Sequence, residues 1–221
     1  GQGYDIEVHA LETKYPQGAE KMLIKATTGR EVPPGALPMA VNVVNQNNGT
    51  AVALAEAIKL GKPLYERVVT VTGPGINNPA NLLVRNGTLV SDIIEQCGGM
   101  TADARKLILG GPMMGMAQST EEIPAIKGTS GVLILTEKFV RYYTIGPCIK
   151  CGKCVDVCPM HLVPNFIGSA SEKENIDLAE KYGAMDCFEC GCCTYTCPAK
   201  RPLVQWIRMA KGEIVARRRK Q

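Results

Sequence analysis

Two stretches of this chain carry one cysteine spacing, and few folds accommodate it even once. Cys148, Cys151, Cys154 and Cys158 form C-x2-C-x2-C-x3-C followed by Pro159, and Cys187, Cys190, Cys193 and Cys197 repeat the intervals before Pro198. This is the ligand run of proteins with two [4Fe–4S] clusters, in which the fourth cysteine of each run ligates the other cluster. The expected sets are therefore Cys148, Cys151, Cys154 and Cys197 for one cluster, and Cys187, Cys190, Cys193 and Cys158 for the other. Thiolates are soft ligands suited to such clusters. The x2 steps let one loop wrap a cluster, and the x3 step begins a helix that carries the fourth thiol away. Pro159 and Pro198 remove a backbone donor and fix the exit direction. Gly152 and Gly191 are expected to leave room where a β-carbon would crowd a cluster.

Other uses of cysteine fit less well. A disulfide framework spreads its cysteines and needs an oxidising compartment, yet the first 147 residues hold only Cys97, and no secretory signal is read at the start. A zinc ribbon uses paired C-x2-C hooks and leaves the third and fourth cysteines without a role. Two of the ten cysteines remain. Cys192 reads as a thiol beside a cluster sulfur or as a structural residue; as a ligand in place of Cys193 it would break the spacing of the first run. Cys97 ends an apolar stretch before Gly98-Gly99 and reads as core filler.

At 221 residues the chain has room for one large or two to three small domains. No apolar run approaches the ~20 residues that span a bilayer; Met39–Val44 and Gly131–Leu135 are strand-sized. The net charge of +4 is unevenly placed: from Lys200 onward eight basic residues face one acid, Glu213, a local +7 that leaves −3 elsewhere. The Arg217–Lys220 tail has no interleaved aromatics, which argues against single-stranded nucleic acid. It reads as a solvated helix end, or as a dock for an acidic partner or anionic lipid headgroups.

Three regions separate on pattern. In residues 1–65, Tyr4–Glu12 is strand-like around Ile6–Leu11, Pro16 opens a helix through about Thr27 ended by Gly29, Val41–Asn45 is a buried strand, and Thr50–Leu60 is a helix closed by Gly61. Because Gly1-Gln2-Gly3 lacks an initiator methionine, the chain is expected to be the C-terminal part of a longer polypeptide. In residues 66–137, strands are expected at Arg67–Thr72, Asn81–Arg85, Lys106–Leu109 and Val132–Thr136 around a helix at Leu89–Gln96. Gly110–Gly115 matches no phosphate-binding fingerprint and reads as tight turns. In residues 138–221, Leu162–Gly183 has helical punctuation, with Pro164 and Asn165 opening one segment and Glu174–Tyr182 forming another. Arg201–Ala216 places Leu203, Trp206, Ile207 and Ala210 on one helical face. His9 and His161 read as structural, and no hydrolytic motif stands out, so no catalytic residue is assigned.

The segments GPCIKCGKCVDVCPMHLVPN and GAMDCFECGCCTYTCPAKRPLVQWIRMAKG resemble the C-subunit family of the Rnf complex, and KYPQGAEK, RVVTVTG, LILGGPMMG and KGTSGVLIL extend the likeness through the chain. That resemblance implies a multidomain α/β plus α+β protein. Its parts would be the C-terminal portion of an FMN- and NADH-binding α/β domain like the flavin subunit of complex I, a β-grasp (SLBB-type) module, and a helical dicluster ferredoxin domain. The family's N-terminal glycine-rich flavin loop has no counterpart here. Tyr15, Gly18 and Glu20 are similar to a flavin-pocket stretch of the complex I relative, and Gln46 and Asn47 to its Asn-Asn-Val-Glu-Thr stretch; read alone, the same residues are a glycine turn and a helix start. The resemblance implies electron relay between a ferredoxin-like iron–sulfur subunit and FMN/NAD(H), with ion pumping by integral membrane subunits. It also implies a peripheral place on the cytoplasmic face. A cobalamin reductase of bacterial microcompartments and a non-catalytic electron-relay adaptor are the alternatives.

Overall fold

The structure, a computed structural model, describes residues 3, 5–140 and 142–220. It divides into two compact units: one built from the residues up to Asn45 together with those from Gly146 onward, the other from Gln46 to Ile145.

The unit from Gln46 to Ile145 begins with α2 (Asn48–Leu60), which follows α1 (Glu20–Thr28) of the other unit in chain order. Asn47 caps α2, its side chain accepting from the Gly49 N–H, and Gly61 ends it in a left-handed conformation, the Gly61 N–H reaching the Ala57 carbonyl and the Lys62 N–H that of Glu56. A five-stranded sheet follows: β1 (Glu66–Thr72), β2 (Ala80–Arg85), β3 (Ala104–Leu109), β4 (Met116–Gln118) and β5 (Gly131–Thr136), in the order β2-β1-β5-β3-β4. β1 and β5 run parallel in the middle, and the other pairs are antiparallel. Alternation along β1 buries Val69 and Val71 while Val68 stays exposed. These side chains join Ile93 and Ile94 of α3 (Val90–Gln96) with Val132 and Ile134 of β5 in one core. Cys97 is buried in that core, as its apolar setting implied.

Ile134 fixes the centre of this core. A β-carbon at Gly73, where φ is +114°, would lie 2.2 Å from the Ile134 carbonyl oxygen, and one at Gly75 would lie 2.6 Å from its Cγ2. Both glycines therefore let the β1–β2 turn close over Ile134. Ile134→Ala empties a fully buried socket and is expected to cost about 2–5 kcal/mol, read as a lowered urea midpoint with unchanged slope.

The other unit contains α1, α4 (Lys153–Asp156), α5 (Pro164–Glu172), α6 (Ile176–Lys181), α7 (Cys192–Thr196) and α8 (Leu203–Arg219). Gly29 ends α1 in the left-handed conformation, its N–H reaching Lys25. Ile167, Ala170, Ile176, Ala179, Ile207, Ala210 and Ile214 make the core between α5, α6 and α8. The alanines allow close helix approach, and Gly168 does the same: a β-carbon there would stand 2.7 Å from Leu203 Cδ2.

The mixed sheet plus helical unit agrees with the multidomain α/β and α+β expectation, but several local expectations fail. Ile6–Leu11, with His9 in it, forms no strand; Ile6 and Val8 are exposed, and no described strand pairs with this segment. Tyr4, where that strand was to begin, lies outside the described residues. Pro16 sits in a turn, and α1 starts only at Glu20. Val41–Asn45 is not a strand: Pro38–Val41 makes a 3-10 turn closed by Asn42 at φ +55°. β4 was not foreseen, because three residues are too short to show alternation. The glycine-rich Gly110–Gly115 is the β3–β4 turn, with the Gly115 N–H on the Gly111 carbonyl.

Candidate iron–sulfur site

The two cysteine runs fold as two copies of one device, because Cys187 follows Cys148 by 39 residues and the backbone repeats at that offset. Lys150 and Glu189, Gly152 and Gly191, and His161 and Lys200 all take positive φ in corresponding places. Gly152 leads into α4 and Gly191 into α7, the short helices that carry Cys154 and Cys193. Each run then turns through its fourth cysteine into a long helix, α5 or α8, and these begin at corresponding residues, Pro164 and Leu203. A β-carbon at Gly152 would meet no protein atom, and its φ of +79° is by itself a reason for glycine there.

The device brings cysteines of different runs together. Cys148, Cys151 and Cys154 line one cavity with Cys197, and Lys150, Asn165, Arg201 and Leu203 are among the other residues of its wall. The Cys154 thiol stands 3.8 Å from Asn165 Oδ1, to which it donates. Burial pushes its pKa up, with the Cys197 and Cys148 thiols adding to the rise. Around the second run, burial raises Cys187 and the neighbouring Cys190 and Cys158 thiols contribute. Cys193 is pushed up to about 12, chiefly by burial and then by Cys187 and Cys190. Thiols crowded so closely are stable as thiolates only with a positive partner, which iron supplies.

Among the described residues no three His, Cys, Asp or Glu side chains converge on a point where one ion could sit. A cubane puts each thiolate on its own iron, so its ligands surround a volume. The first cavity, walled by four cysteines and lined otherwise by largely apolar groups, fits that requirement. Cys192 is half-buried and pushed up to about 11, first by burial and then by Cys190, with Cys158 contributing. It stands beside Cys190, a position compatible with both of its readings.

Charged side chains missed by motif reading hold the second loop. Glu189, between Cys187 and Cys190, accepts from Arg208 Nε at 2.7 Å and Lys211 Nζ at 2.6 Å, and Lys211 also donates to the Cys187 carbonyl at 2.7 Å. The Glu189 N–H points at Cys187 Sγ at 3.3 Å. Burial alone would raise the Glu189 pKa, but Lys211 and Arg208 outweigh it and lower it. Only their i, i+3 spacing on α8 was visible in sequence; their target was not.

The flavin-side candidates are placed as follows. Tyr15 donates its hydroxyl to the Cys190 carbonyl at 2.6 Å, and burial, then Cys190 and Cys192, raise its pKa. Gly18 and Glu20 are exposed at the start of α1. Gln46 is exposed, and Asn47 Oδ1 is occupied by the Gly49 N–H at 3.0 Å and Arg67 Nη2 at 3.3 Å. Tyr15, Gly18 and Glu20 belong to one compact unit, Gln46 and Asn47 to the other. His161 is an exposed turn residue, and His9 pairs with Glu7 at 3.1 Å. The basic tail is an ion-paired helix end: Arg217 meets Asp177 and Glu213, both at 3.0 Å, and Arg218 meets Glu180 at 2.5 Å.

Comparison with known proteins agrees with this division of labour. Residues 1–56 match the Nuo51 FMN-binding domain family, residues 68–117 the SLBB domain, and residues 147–200 the 4Fe-4S dicluster domain. The chain is 52% identical over 220 residues to the C subunit of the Na(+)-translocating ferredoxin:NAD(+) oxidoreductase complex of Acetobacterium woodii, covering 100% of this chain and 50% of that protein. It is 50% identical to the proton-translocating counterpart of Clostridium ljungdahlii over 96% of this chain and 47% of that protein. Identity to the C subunit of the ion-translocating oxidoreductase complex of Methanosarcina acetivorans is 40%, over 95% of this chain and 47% of that protein. The chain thus spans about half the length of these relatives. With a dicluster domain whose cysteines repeat in sequence and in backbone, and with likeness running from end to end, the chain belongs to the C-subunit family of ion-translocating ferredoxin:NAD+ oxidoreductase (Rnf) complexes.

Proposed function

We propose that this polypeptide is the electron-relay part of a ferredoxin:NAD+ oxidoreductase subunit, with two [4Fe–4S] clusters passing single electrons to or from an FMN/NAD(H) site. The observation that carries this reading is the cavity shared by Cys148, Cys151 and Cys154 with Cys197 of the other run. Cys148, Cys151, Cys154 and Cys197 hold one cluster; Cys187, Cys190, Cys193 and Cys158 hold the other. When bound, the clusters supply one-electron redox capacity at potentials set by charge, hydrogen bonding and burial. The chain's residues do the rest. Interleaving keeps the two sets adjacent, Leu203 and the buried Cys154 and Cys193 limit water, and Lys211 holds the second loop to α8.

The division into residues 1–65 of the flavin-type domain, 66–137 of the β-grasp module and 138–221 of the dicluster domain is supported by the three matched family models. In the full-length protein, Tyr15, Gly18, Glu20, Gln46 and Asn47 are the candidates to border FMN or NAD(H), and this part has no catalytic residue of its own. Among the described residues no helix is long and apolar enough to cross a membrane. The proposed place is peripheral, on the cytoplasmic face, beside a ferredoxin-like protein and the integral membrane components of the complex. Relatives named for Na+ and for proton translocation are 52% and 50% identical to the chain, so it does not dictate the coupling ion.

Anaerobic iron and sulfide analysis with EPR of the reduced protein tests the core of this reading. About eight irons and a spin-coupled pair of reduced [4Fe–4S] signals are expected. Bound zinc, or a single cluster after full reconstitution, would refute it.

A further inference from the structure

Among the described residues Arg201 is the only buried charged side chain, at 6% exposure, and it forms part of the wall of the cavity lined by Cys148, Cys151, Cys154 and Cys197. Its guanidinium is anchored on one side alone. Nη2 reaches Glu172 Oε2 at 2.5 Å and Ser169 Oγ at 3.5 Å, and the guanidinium carbon lies 4.7 Å from the centre of the Trp206 ring. Nε is buried and finds no acceptor among the described residues. An orphaned buried donor carries the full cost of its desolvation, and more when it is charged. Glu172 is 38% exposed, so its charge is partly screened by water and compensates the cation incompletely. In a cavity walled by cysteines, what is missing is an acceptor carrying negative charge, and cluster-bound sulfur is one.

The repeat sharpens the point. At the offset that superposes the two cysteine runs, the counterpart of Arg201 is Leu162, which packs against the helical core. The second loop has cations too, but Arg208 and Lys211 both pair with Glu189. The two sites therefore share a backbone and differ in the charge supplied to them.

We propose that Arg201 is the positioning residue that raises the reduction potential of the cluster held by Cys148, Cys151, Cys154 and Cys197, its Nε–H donating to sulfur there. Net charge and hydrogen bonds to sulfur are the levers that set such potentials. Reduction adds one electron, drawn in the experiment below from dithionite through mediators. No bond forms or breaks and no proton moves. The added negative charge is stabilised by a cation already in place. The inference rests on the dicluster reading, which the unmodified protein tests separately by showing two [4Fe–4S] signals.

The experiment is an EPR-monitored redox titration of the reconstituted full chain and its variants, with iron determined on each sample. In Arg201→Gln one of the two midpoints is expected to fall, lowering that cluster's reduction equilibrium constant about tenfold, which is about 59 mV for a one-electron couple. The other midpoint should stay in place. Arg201→Lys, which keeps the charge but not the fork, should recover part of the shift. Glu172→Gln leaves the cation less compensated and should move the same midpoint upward. A loaded Arg201→Gln protein with both midpoints unchanged, or with both shifted equally, overturns the proposal. Should Arg201→Gln fail to hold its cluster, Glu172→Gln decides: an upward shift in one midpoint supports the proposal, and no shift overturns it.

Discussion

A chain carrying Cys151→Ala and Cys197→Ala together is expected to keep one intact [4Fe–4S] cluster, although each cysteine run has lost a ligand. The two residues line one cavity, and the Cys154 thiol there is raised by Cys197 as well as by Cys148. Each single substitution should lower iron from about eight to about four per chain. The double variant should stay at about four, with the same remaining EPR signal as either single. Ligation within each run gives the opposite result: Cys151→Ala would damage one cluster and Cys197→Ala the other, and the double variant would lose both. A second pair checks the other set. Cys158→Ala with Cys190→Ala should likewise leave about four irons, because both belong to the proposed second set; both thiols lie near enough to Cys187 to add, after burial, to the rise in its pKa. Combining Cys151→Ala with Cys190→Ala, one from each set, should abolish both clusters. Iron near zero in the first double variant sinks the crosswise assignment outright.

What could be read from the sequence follows from how local each signal is. The cysteine spacing is local, and the proposed ligand sets follow from it alone. Glycine caps are local too, and Gly29 and Gly61 ended α1 and α2 where expected. β1 showed in its β-branched alternation and β2, β3 and β5 in short apolar runs, and all four lie in the sheet. Ile6–Leu11 and Val41–Asn45 have similar composition, yet a strand exists only where a neighbour accepts its hydrogen bonds, and composition does not name the neighbour. The cavity wall was hidden for a related reason. Asn165 and Arg201 sit at the starts of α5 and α8, and only the 39-residue repeat of the backbone brings them to the first cluster site. Lys150, Glu189 and Lys200 are residue types that rarely take positive φ, and His161, of a type that takes it more readily, stands in no turn signature, so identity did not announce the turns these four make.

Those four residues lead to the second large effect, the response to removing iron. Each loop holds two non-glycine residues at φ between +53° and +64°, a conformation costing roughly 1–2 kcal/mol per residue. The packing beside the loops is thin: Cys154, Cys193 and Leu203 are its buried members, and two of these three are proposed ligands. Cluster binding therefore supplies the free energy that holds the loops, as metal binding does wherever the site is absent from the unfolded chain. The sheet unit is different, since its core of Val69, Val71, Ile93, Ile94, Val132 and Ile134 contains no ligand. After anaerobic extrusion of the clusters, amide exchange at 146–163 and 185–202 is expected to speed up on the order of a hundredfold, from about 3 kcal/mol of released strain per loop at 1.4 kcal/mol per tenfold. Exchange across β1, β2, β3 and β5 should stay the same. Lys211 and Glu189 make the second loop the slower of the two to open, because their ion pair and the bond to the Cys187 carbonyl survive loss of the metal. Glu189→Gln should remove that difference. Loop protection that survives extrusion would mean that packing, not ligation, sets the conformation of the loops.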